Sequence, residues 1–332
     1  MEQETVGTRN AGTAAGGVGD VQNIGVLDLT GIATAEELSR ISSITNVGVI
    51  LVSASLMPKL SSIPIKNAGA TVPVPDGRNV RVLTGEITMS GESLSGAAGD
   101  DILVVVGQLV ITGPVRSVGF KQLILVGQLI APRGSEGPIG AALGHLTGEA
   151  VYYPYSQGVE VKVLNGNTNF STTLLANQGG QESDTLMILG NTVIASPVDR
   201  IGYGQVVIVG DFFAPRESEP VLGPYVWSTG KVLYYKAKPR LFLGNERFSN
   251  DFFQLLEEPI TLVLTGNFVL ESDVSRDLVQ QKIAEIVLTG NLKAAKQVVP
   301  LLQVLATQLT GRISAIEDEP ESDDTAEAST GR

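Results

Sequence analysis

The chain has 332 residues, a formal net charge of −12, a single histidine and no cysteine. The absence of cysteine excludes disulfide bonds and thiolate chemistry, and one histidine excludes a zinc site built from several histidines. An acidic chain without a cluster of lysine or arginine argues against nucleic acid and anionic membranes as partners.

The first twenty residues, 1–20, are polar and rich in glycine, and they contain no apolar stretch of the kind found in a signal peptide. A segment of this composition buries little apolar surface, so we predict a disordered tail. Further along, no run approaches the ~20 apolar residues that a membrane-spanning helix needs. The sequence therefore predicts a cytoplasmic protein with no membrane span.

A short motif recurs between residues 21 and 316. Three or four apolar residues lead into glycine and a polar residue, and apolar residues then return. The clearest copies are residues 80–87, 102–110, 123–130, 185–193, 205–213, 260–269 and 285–292. Glycines of neighbouring motifs are mostly 18 to 24 residues apart, about the length of one solenoid coil. Such a unit is too short to bury its own apolar face, so it is stable only between neighbours.

The residues within one motif have a regular spacing. Phe120, Leu123, Leu125, Gln128 and Ile130 follow the pattern apolar-x-x-apolar-x-apolar-x-x-polar-x-apolar. Because alternate residues of a strand point to opposite faces, we expect the apolar ones to face inward on a short strand. We expect the polar residue to turn the chain and to bond the backbone of the next coil.

This spacing resembles the leucine-rich repeat, L-x-x-L-x-L-x-x-N-x-L, and residues 113–122 and 196–205 resemble its Pro-x-x-Ile-Gly return segment. The resemblance implies a β-solenoid of about 20–24-residue coils, with parallel short strands and some helices at the two ends. A right-handed parallel β-helix has a similar rhythm and is the alternative fold. Good helix formers in residues 34–45, 249–258, 273–285 and 293–307 favour the leucine-rich-repeat-like fold.

A longer repeat encloses the short one. Residues 106–136 align without a gap on residues 189–219, with 14 identities in 31 positions. A second motif follows each copy, at residues 146–155 and 228–237. The sequence therefore contains an internal duplication, 106–153 and 189–235, and predicts a single continuous solenoid over residues 21–316.

The C-terminal residues 317–332 contain seven acidic residues and one arginine, which is half of the net charge. We predict an acidic disordered tail that keeps the protein in solution and keeps the last coil from pairing with other chains. The alternative is a docking segment for a basic partner.

Residues able to carry out catalysis are few. His145 lies between apolar neighbours and a turn, Asp100–Asp101 lie at the entrance of a strand, and Glu257–Glu258 end a helix-like segment. Each is explained by packing or by a solvated turn, and the glycine clusters lack the Lys-Ser/Thr of a phosphate loop. We therefore expect no catalytic residue, no metal site and no cofactor.

Aromatic residues concentrate in the two regions that follow the duplicated segments, and tyrosine and tryptophan are common at the centres of binding surfaces. The candidate interaction residues are Tyr152, Tyr153, Tyr155, Tyr225, Trp227, Tyr234 and Tyr235. Adjacent tyrosines on a strand point to opposite faces, so the alternative is that some of these rings belong to the core.

Two classes of function follow from these features. The first is a non-catalytic structural or protein-interaction scaffold that binds a protein partner or itself, through the aromatic insertions or the solenoid ends. The alternative is a carbohydrate-binding or carbohydrate-cleaving β-helix protein, which would need carboxylates clustered on one face. Asp100, Asp101, Asp184, Asp199 and Asp211 would then lie in one row across the coils.

Overall fold

The computed structural model describes residues 11–13, 19–96, 99–165, 168–170 and 172–316. The chain forms two compact units, residues 1–161 and residues 162–332. Most of the predicted N-terminal tail and the whole acidic tail 317–332 lie outside the described residues. Within the first tail, Ala11–Thr13 pair with a neighbouring strand. The single continuous solenoid over residues 21–316 stays a prediction.

The first unit contains two four-stranded parallel sheets whose strands follow chain order. Sheet 1 consists of β1 (Ala11–Thr13), β2 (Gly19–Asp28), β3 (Ile41–Ser53) and β4 (Ile65–Val74). Sheet 2 consists of β5 (Val80–Met89), β6 (Ile102–Ile111), β7 (Gln122–Pro132) and β8 (Leu143–Tyr153). The predicted parallel strands are confirmed, and within each of these sheets a strand pairs with the next one in chain order. Apart from β1 they have ten or more residues and are longer than the short strands predicted.

The second unit contains three parallel sheets, two of which share the same stretch of chain. Sheet 3 consists of β9 (Val161–Asn165), β11 (Thr185–Leu189), β13 (Gln205–Val209) and β15 (Val226–Ser228). Sheet 4 consists of β10 (Thr168–Phe170), β12 (Thr192–Ile194), β14 (Phe212–Pro215) and β16 (Val232–Tyr235). Sheet 5 consists of β17 (Lys238–Phe248), β18 (Ile260–Leu270), β19 (Ile283–Ala294) and β20 (Ala306–Ala315).

Short helices connect many of the strands. They are α1 (Ala35–Leu38), α2 (Met57–Leu60), α3 (Gly91–Ser95), α4 (Glu136–Ala142), α5 (Thr172–Leu175), α6 (Glu219–Leu222), α7 (Asn250–Gln254), α8 (Arg276–Lys282) and α9 (Val299–Leu305). Each of the four segments predicted to be helical contains a helix, but none is helical throughout. The end of segment 34–45 belongs to β3, because its Ile41 and Ile44 are buried beside strand neighbours. Helices also occur away from the two ends.

In sheet 2 the glycines of the motif lie within the strands. The sequence predicted instead that the chain turns at the polar residue beside each glycine. Gly85, Gly107, Gly127 and Gly148 lie in register on β5 to β8 and are separated by 22, 20 and 21 residues. All have positive φ, between 96° and 138°, so the strand bends at glycine and continues. At Gly190 and Gly210 the chain instead leaves sheet 3, and it enters sheet 4 two residues later.

Apolar residues are buried on both faces of the inner strands, and not only at alternate positions as predicted. Leu103 and Leu125 pack against α4 in one core of the first unit. Their neighbour Val104 packs in a second cluster with Val49 of sheet 1. The second unit is built in the same way, because Phe213 of sheet 4 packs with residues of sheet 5. The added layer explains the runs of consecutive apolar residues.

Polar residues beside the glycines link neighbouring strands, and in the second copy of the duplication they bond the backbone, as predicted. The Oδ1 atom of Asn191 accepts a hydrogen bond from the backbone N–H of Asp211 at 2.9 Å. Asp211 in turn accepts one from the backbone N–H of Lys231 at 2.8 Å. In sheet 5 the side chains bond one another instead, since Asn291 donates to Asn267 at 2.8 Å. These rows of bonds fix the register of the strands.

Candidate interaction surface

The two copies of the duplicated segment use the same buried serine contact. The hydroxyl oxygen of Ser135 accepts a hydrogen bond from the backbone N–H of Val115 at 3.0 Å. In the second copy Ser218 accepts one from Val198 at 2.8 Å. Both serines are fully buried. The duplication seen in the sequence therefore extends to individual hydrogen bonds.

Two of the candidate aromatic residues belong to the core. Tyr153 is 0% exposed and Tyr235 is 3% exposed. The Tyr153 hydroxyl donates to the backbone carbonyl of Ile111 at 2.8 Å, and the Tyr235 hydroxyl donates to the carbonyl of Ile194. Burial raises the pKa of both hydroxyls above the ordinary value of 10.0. Each ring thus ties the end of one strand to the strand two positions earlier in the same sheet.

The residues before these tyrosines are half-buried and pack against the same cores. Tyr152 contacts the core of sheet 2, and Tyr234 contacts the core of sheets 3 and 4. Their backbone carbonyls accept hydrogen bonds from Arg133 and Arg216. The adjacent pairs therefore place one ring fully inside and one at the boundary.

The remaining candidates lie nearer to the surface. Tyr155 packs edge-on against Tyr153, with their ring centroids 6.5 Å apart. Trp227 is a half-buried residue of β15, and Tyr225 precedes that strand with 41% of its surface exposed. Among the described residues, β15 and β16 form edges of sheets 3 and 4. Tyr225 is therefore the most accessible of the seven aromatic candidates.

Exposed large apolar side chains occur beside strand edges of the second unit. In the described part of the chain they are Tyr225, Val232, Leu243, Leu255, Val304 and Leu309. Tyr225 and Val232 lie at the edge formed by β15 and β16. Leu243 belongs to the edge strand β17, and Leu255 lines an open cleft of about 220 Å³ with Lys238, Arg240 and Ile260. Leu309 belongs to the edge strand β20 and Val304 to α9, which contacts β20.

Sequence analysis identified only Tyr225 among these six residues. The other five are ordinary members of the apolar pattern, and only the position of a strand at the end of a sheet exposes them. Leu309, for example, occupies the same register position as Leu288, which is fully buried on the inner strand β19. The sequence holds one indication of their exposure, because the first and last copies of a repeat have neighbours on one side only.

A buried polar cluster lies next to the core of sheets 3 and 4. The Nζ atom of Lys162 lies 3.0 Å from a carboxylate oxygen of Asp184 and donates to Asn177 at 2.9 Å. Asn177 also donates to the backbone carbonyl of Gly202 at 2.9 Å. The Lys162 hydrogen bond, joined by those of Gln181 and Asn177, lowers the pKa of Asp184 below 3.8. The cluster joins β9 to the loops before β11 and β13.

The other residues considered for chemistry have local bonding partners. His145 shares a hydrogen bond with Thr147 at 2.8 Å, Asp100 pairs with Arg78 at 3.2 Å, and Asp101 accepts from Asn79 at 3.2 Å. Across the residues that the structure describes, no three histidine, aspartate or glutamate side chains are grouped to hold a metal ion. Within the same residues, every helix is too short or too polar to span a bilayer.

Comparison of the chain with protein-family models, with curated proteins and with solved structures finds no match. The resemblance to the leucine-rich repeat thus stays a resemblance of residue pattern.

Proposed function

We propose that the protein is a non-catalytic structural scaffold that binds proteins, copies of itself included, through the open edges of its parallel sheets. The observation that carries this proposal is the position of the six exposed apolar side chains, all at edges of the second unit. An edge strand offers unpaired backbone N–H and C=O groups, which bind a further strand. Apolar side chains beside such groups add burial to the hydrogen bonds.

The proposal includes a solenoid built from coils of 20 to 24 residues. It rests on the glycine rows, since Gly244, Gly266, Gly290 and Gly311 pair in register at separations of 22, 24 and 21 residues. Two features favour the parallel β-helix, the alternative fold, over the leucine-rich-repeat-like one. Most strands of sheets 1, 2 and 5 have ten or more residues, and consecutive segments of one coil enter both sheet 3 and sheet 4.

The carbohydrate-binding or carbohydrate-cleaving alternative receives less support from the arrangement of the carboxylates. Asp184 precedes β11, whereas Asp211 follows β13 and lies on the opposite side of the glycine bend. Asp184 is held by Lys162 and Asn177, and Asp211 by the backbone of Lys231. These carboxylates therefore have structural partners instead of forming one row.

Sedimentation velocity of the full chain over a concentration series tests the proposal. The expected result is a defined oligomer whose fraction rises with concentration. A monomer at every concentration, together with unchanged sedimentation of a candidate protein partner mixed with it, contradicts the proposal. The cytoplasmic location stays a prediction.

A further inference from the structure

Two of the apolar interior rows of sheet 5 end in charged residues at its β17 edge, and two end in Phe242 and Phe248. Arg240 of β17 is in register with Leu262 of β18 and Ile286 of β19, both fully buried. The Arg240 side chain also lines the open cleft beside Leu255. A further strand laid on β17 would remove this guanidinium from water.

A second interior row of sheet 5 ends in the same way. Glu246 of β17 is in register with Phe268 and Leu292, which are 1% and 0% exposed. The first strand of sheet 2 shows one such position as well, because Arg81 is in register with the fully buried Leu103. Charged residues on the inward face of an edge strand oppose pairing with another strand, because they would be buried without a partner.

The other edge of sheet 5 has the opposite chemistry. On β20 the interior rows end in Leu309 and Ile313, which are in register with Leu288 and Leu292. Leu309 is 46% exposed, and Val304 on the adjoining helix α9 is 80% exposed. In the described part of the chain, β20 pairs with β19 alone. This edge therefore presents apolar side chains and a strand of ten residues with one side open.

We propose that β20 is the docking edge for β20 of a second copy of this chain. The inference rests on the proposed self-association and names its surface, and it departs from the expectation that the acidic tail 317–332 keeps the last coil from pairing with other chains. Continuation of the stack by β17 of another copy would bring Arg240 onto the row of Ala306 and Glu246 onto the row of Ile313. A second β20 brings apolar residues to these rows instead.

Pairing of two identical edges gives a closed assembly. Identical strands related by a two-fold axis run antiparallel, and each contributes the same residues to the contact. The charged β17 edge then stays in solvent on both copies, so the assembly stops at a dimer. This arrangement explains why one end of the sheet carries charge on its interior face and the other does not.

The remaining open edges fit a second copy less well. β15 and β16 have three and four residues, which gives few hydrogen bonds for a docked strand. On β8, the apolar residues in register with the core, Leu146 and Ala150 among them, are half-buried and already pack against that core. The β20 edge is the longest one that keeps an interior-row leucine exposed.

Sedimentation velocity on matched variants tests the inference. Leu309→Lys places a charge on the β20 row at an exposed site, and we expect the dimer fraction to fall at least tenfold at equal concentration. Leu255→Lys is the control, since Leu255 is 83% exposed and lies beside β17, and it is expected to leave the dimer unchanged. Tyr225→Ser probes the aromatic edge and is expected to have no effect on the dimer.

Single cysteines give a second readout, because the natural chain contains none. Leu309→Cys and Arg312→Cys, made separately, are expected to give a cross-linked dimer with a short bis-maleimide, whereas Leu255→Cys is not. Cross-linking at one position joins equivalent residues, which distinguishes two-fold pairing from head-to-tail stacking. Circular dichroism confirms that each variant remains folded.

The outcomes separate this inference from the proposed function. If the natural chain dimerises but Leu309→Lys has no effect, or if Tyr225→Ser abolishes the dimer instead, the β20 assignment is overturned and self-association stands. If the natural chain is monomeric at all concentrations, the β20 inference fails, and the proposed function fails with it only if a candidate protein partner also sediments unchanged. Loss of the dimer in Leu309→Lys alone, with cross-linking at position 309 or 312, supports the inference.

Discussion

Gly266 lies so close to Gly244 that a Cβ atom on Gly266 would overlap the carbonyl oxygen of Gly244. The same contact recurs along sheet 5, with Gly290 against Gly266 and Gly311 against Gly290. Gly244, on the edge strand, has no atom in the corresponding place. The glycine row is therefore a packing requirement wherever a strand has a neighbour before it.

This contact predicts that replacing glycine by alanine lowers the stability of the fold more at Gly266 than at Gly244. Both Gly266 and Gly244 have positive φ, 133° and 97°, so alanine at either site carries strain of about 1–3 kcal/mol. Gly266→Ala adds an overlap with the backbone of Gly244, whereas Gly244→Ala places its Cβ in open space. We expect Gly266→Ala to lower the thermal unfolding midpoint much further, and equal midpoints would contradict the proposed cause.

Replacing either buried serine of the duplication by alanine is expected to lower the free energy of unfolding by the same amount. Ser135→Ala leaves the backbone N–H of Val115 without its partner, and Ser218→Ala does the same to Val198. A buried donor left unsatisfied costs about 1–3 kcal/mol. Urea unfolding should show a loss in this range for each, with the exposed Ser156→Ala as control. A loss in only one copy would mean that the contacts are not equivalent.

The aromatic candidates differ in burial, so their substitution is expected to change the stability of the protein by different amounts. Tyr235→Ser removes a buried ring and its hydrogen bond to Ile194, and loss of a large buried side chain costs about 3–5 kcal/mol. Tyr225→Ser alters a residue that is 41% exposed and should leave the free energy of unfolding nearly unchanged. Chemical denaturation of both variants checks this, and similar stabilities would place Tyr235 outside the core.

The polar cluster at Asp184 predicts an acid-sensitive contribution to stability. Its pKa is lowered in the folded chain, chiefly by hydrogen bonding to Lys162. The contribution is therefore complete above the pKa of the unfolded chain, near 3.8, and is lost as pH falls through the lowered folded value.

Thermal unfolding between neutral pH and pH ~2 checks the prediction, because the ordinary pKa of an aspartate lies within this range. Asp184→Asn should reduce the stability at neutral pH and flatten its fall in acid. Asp101→Asn, at the equivalent position of the first copy, serves as the control. An unchanged acid profile in Asp184→Asn would show that another group is responsible.

The sequence was sufficient to predict the parallel strands, the glycine row and the duplication. The strands and the glycine row depend on contacts between neighbouring strands, so they leave a periodic trace in the sequence. Gly107 and Gly127 illustrate this, because a Cβ atom on Gly107 would overlap the carbonyl oxygen of Gly85 and one on Gly127 would overlap that of Gly107. The continuation of strands through these glycines was not predicted, because a positive φ is compatible with a turn as well as with a bend.

Burial on both strand faces could not be predicted from the repeat. Val49 and Val104 belong to different sheets and meet in one cluster although they are far apart in the chain. No local period records such a contact. The accessible surface depends in the same way on which strands lie at a sheet edge, and Leu309 differs from Leu288 in position and not in residue type.

Hydrogen–deuterium exchange at low and high protein concentration tests most directly whether an open edge is the contact surface. The account predicts that peptides from β20, residues 306–315, gain protection as the protein associates. Peptides from the charged edge β17, residues 238–248, should exchange equally at both concentrations. If association protects β17 and leaves β20 unchanged, or protects neither, the central claim is contradicted.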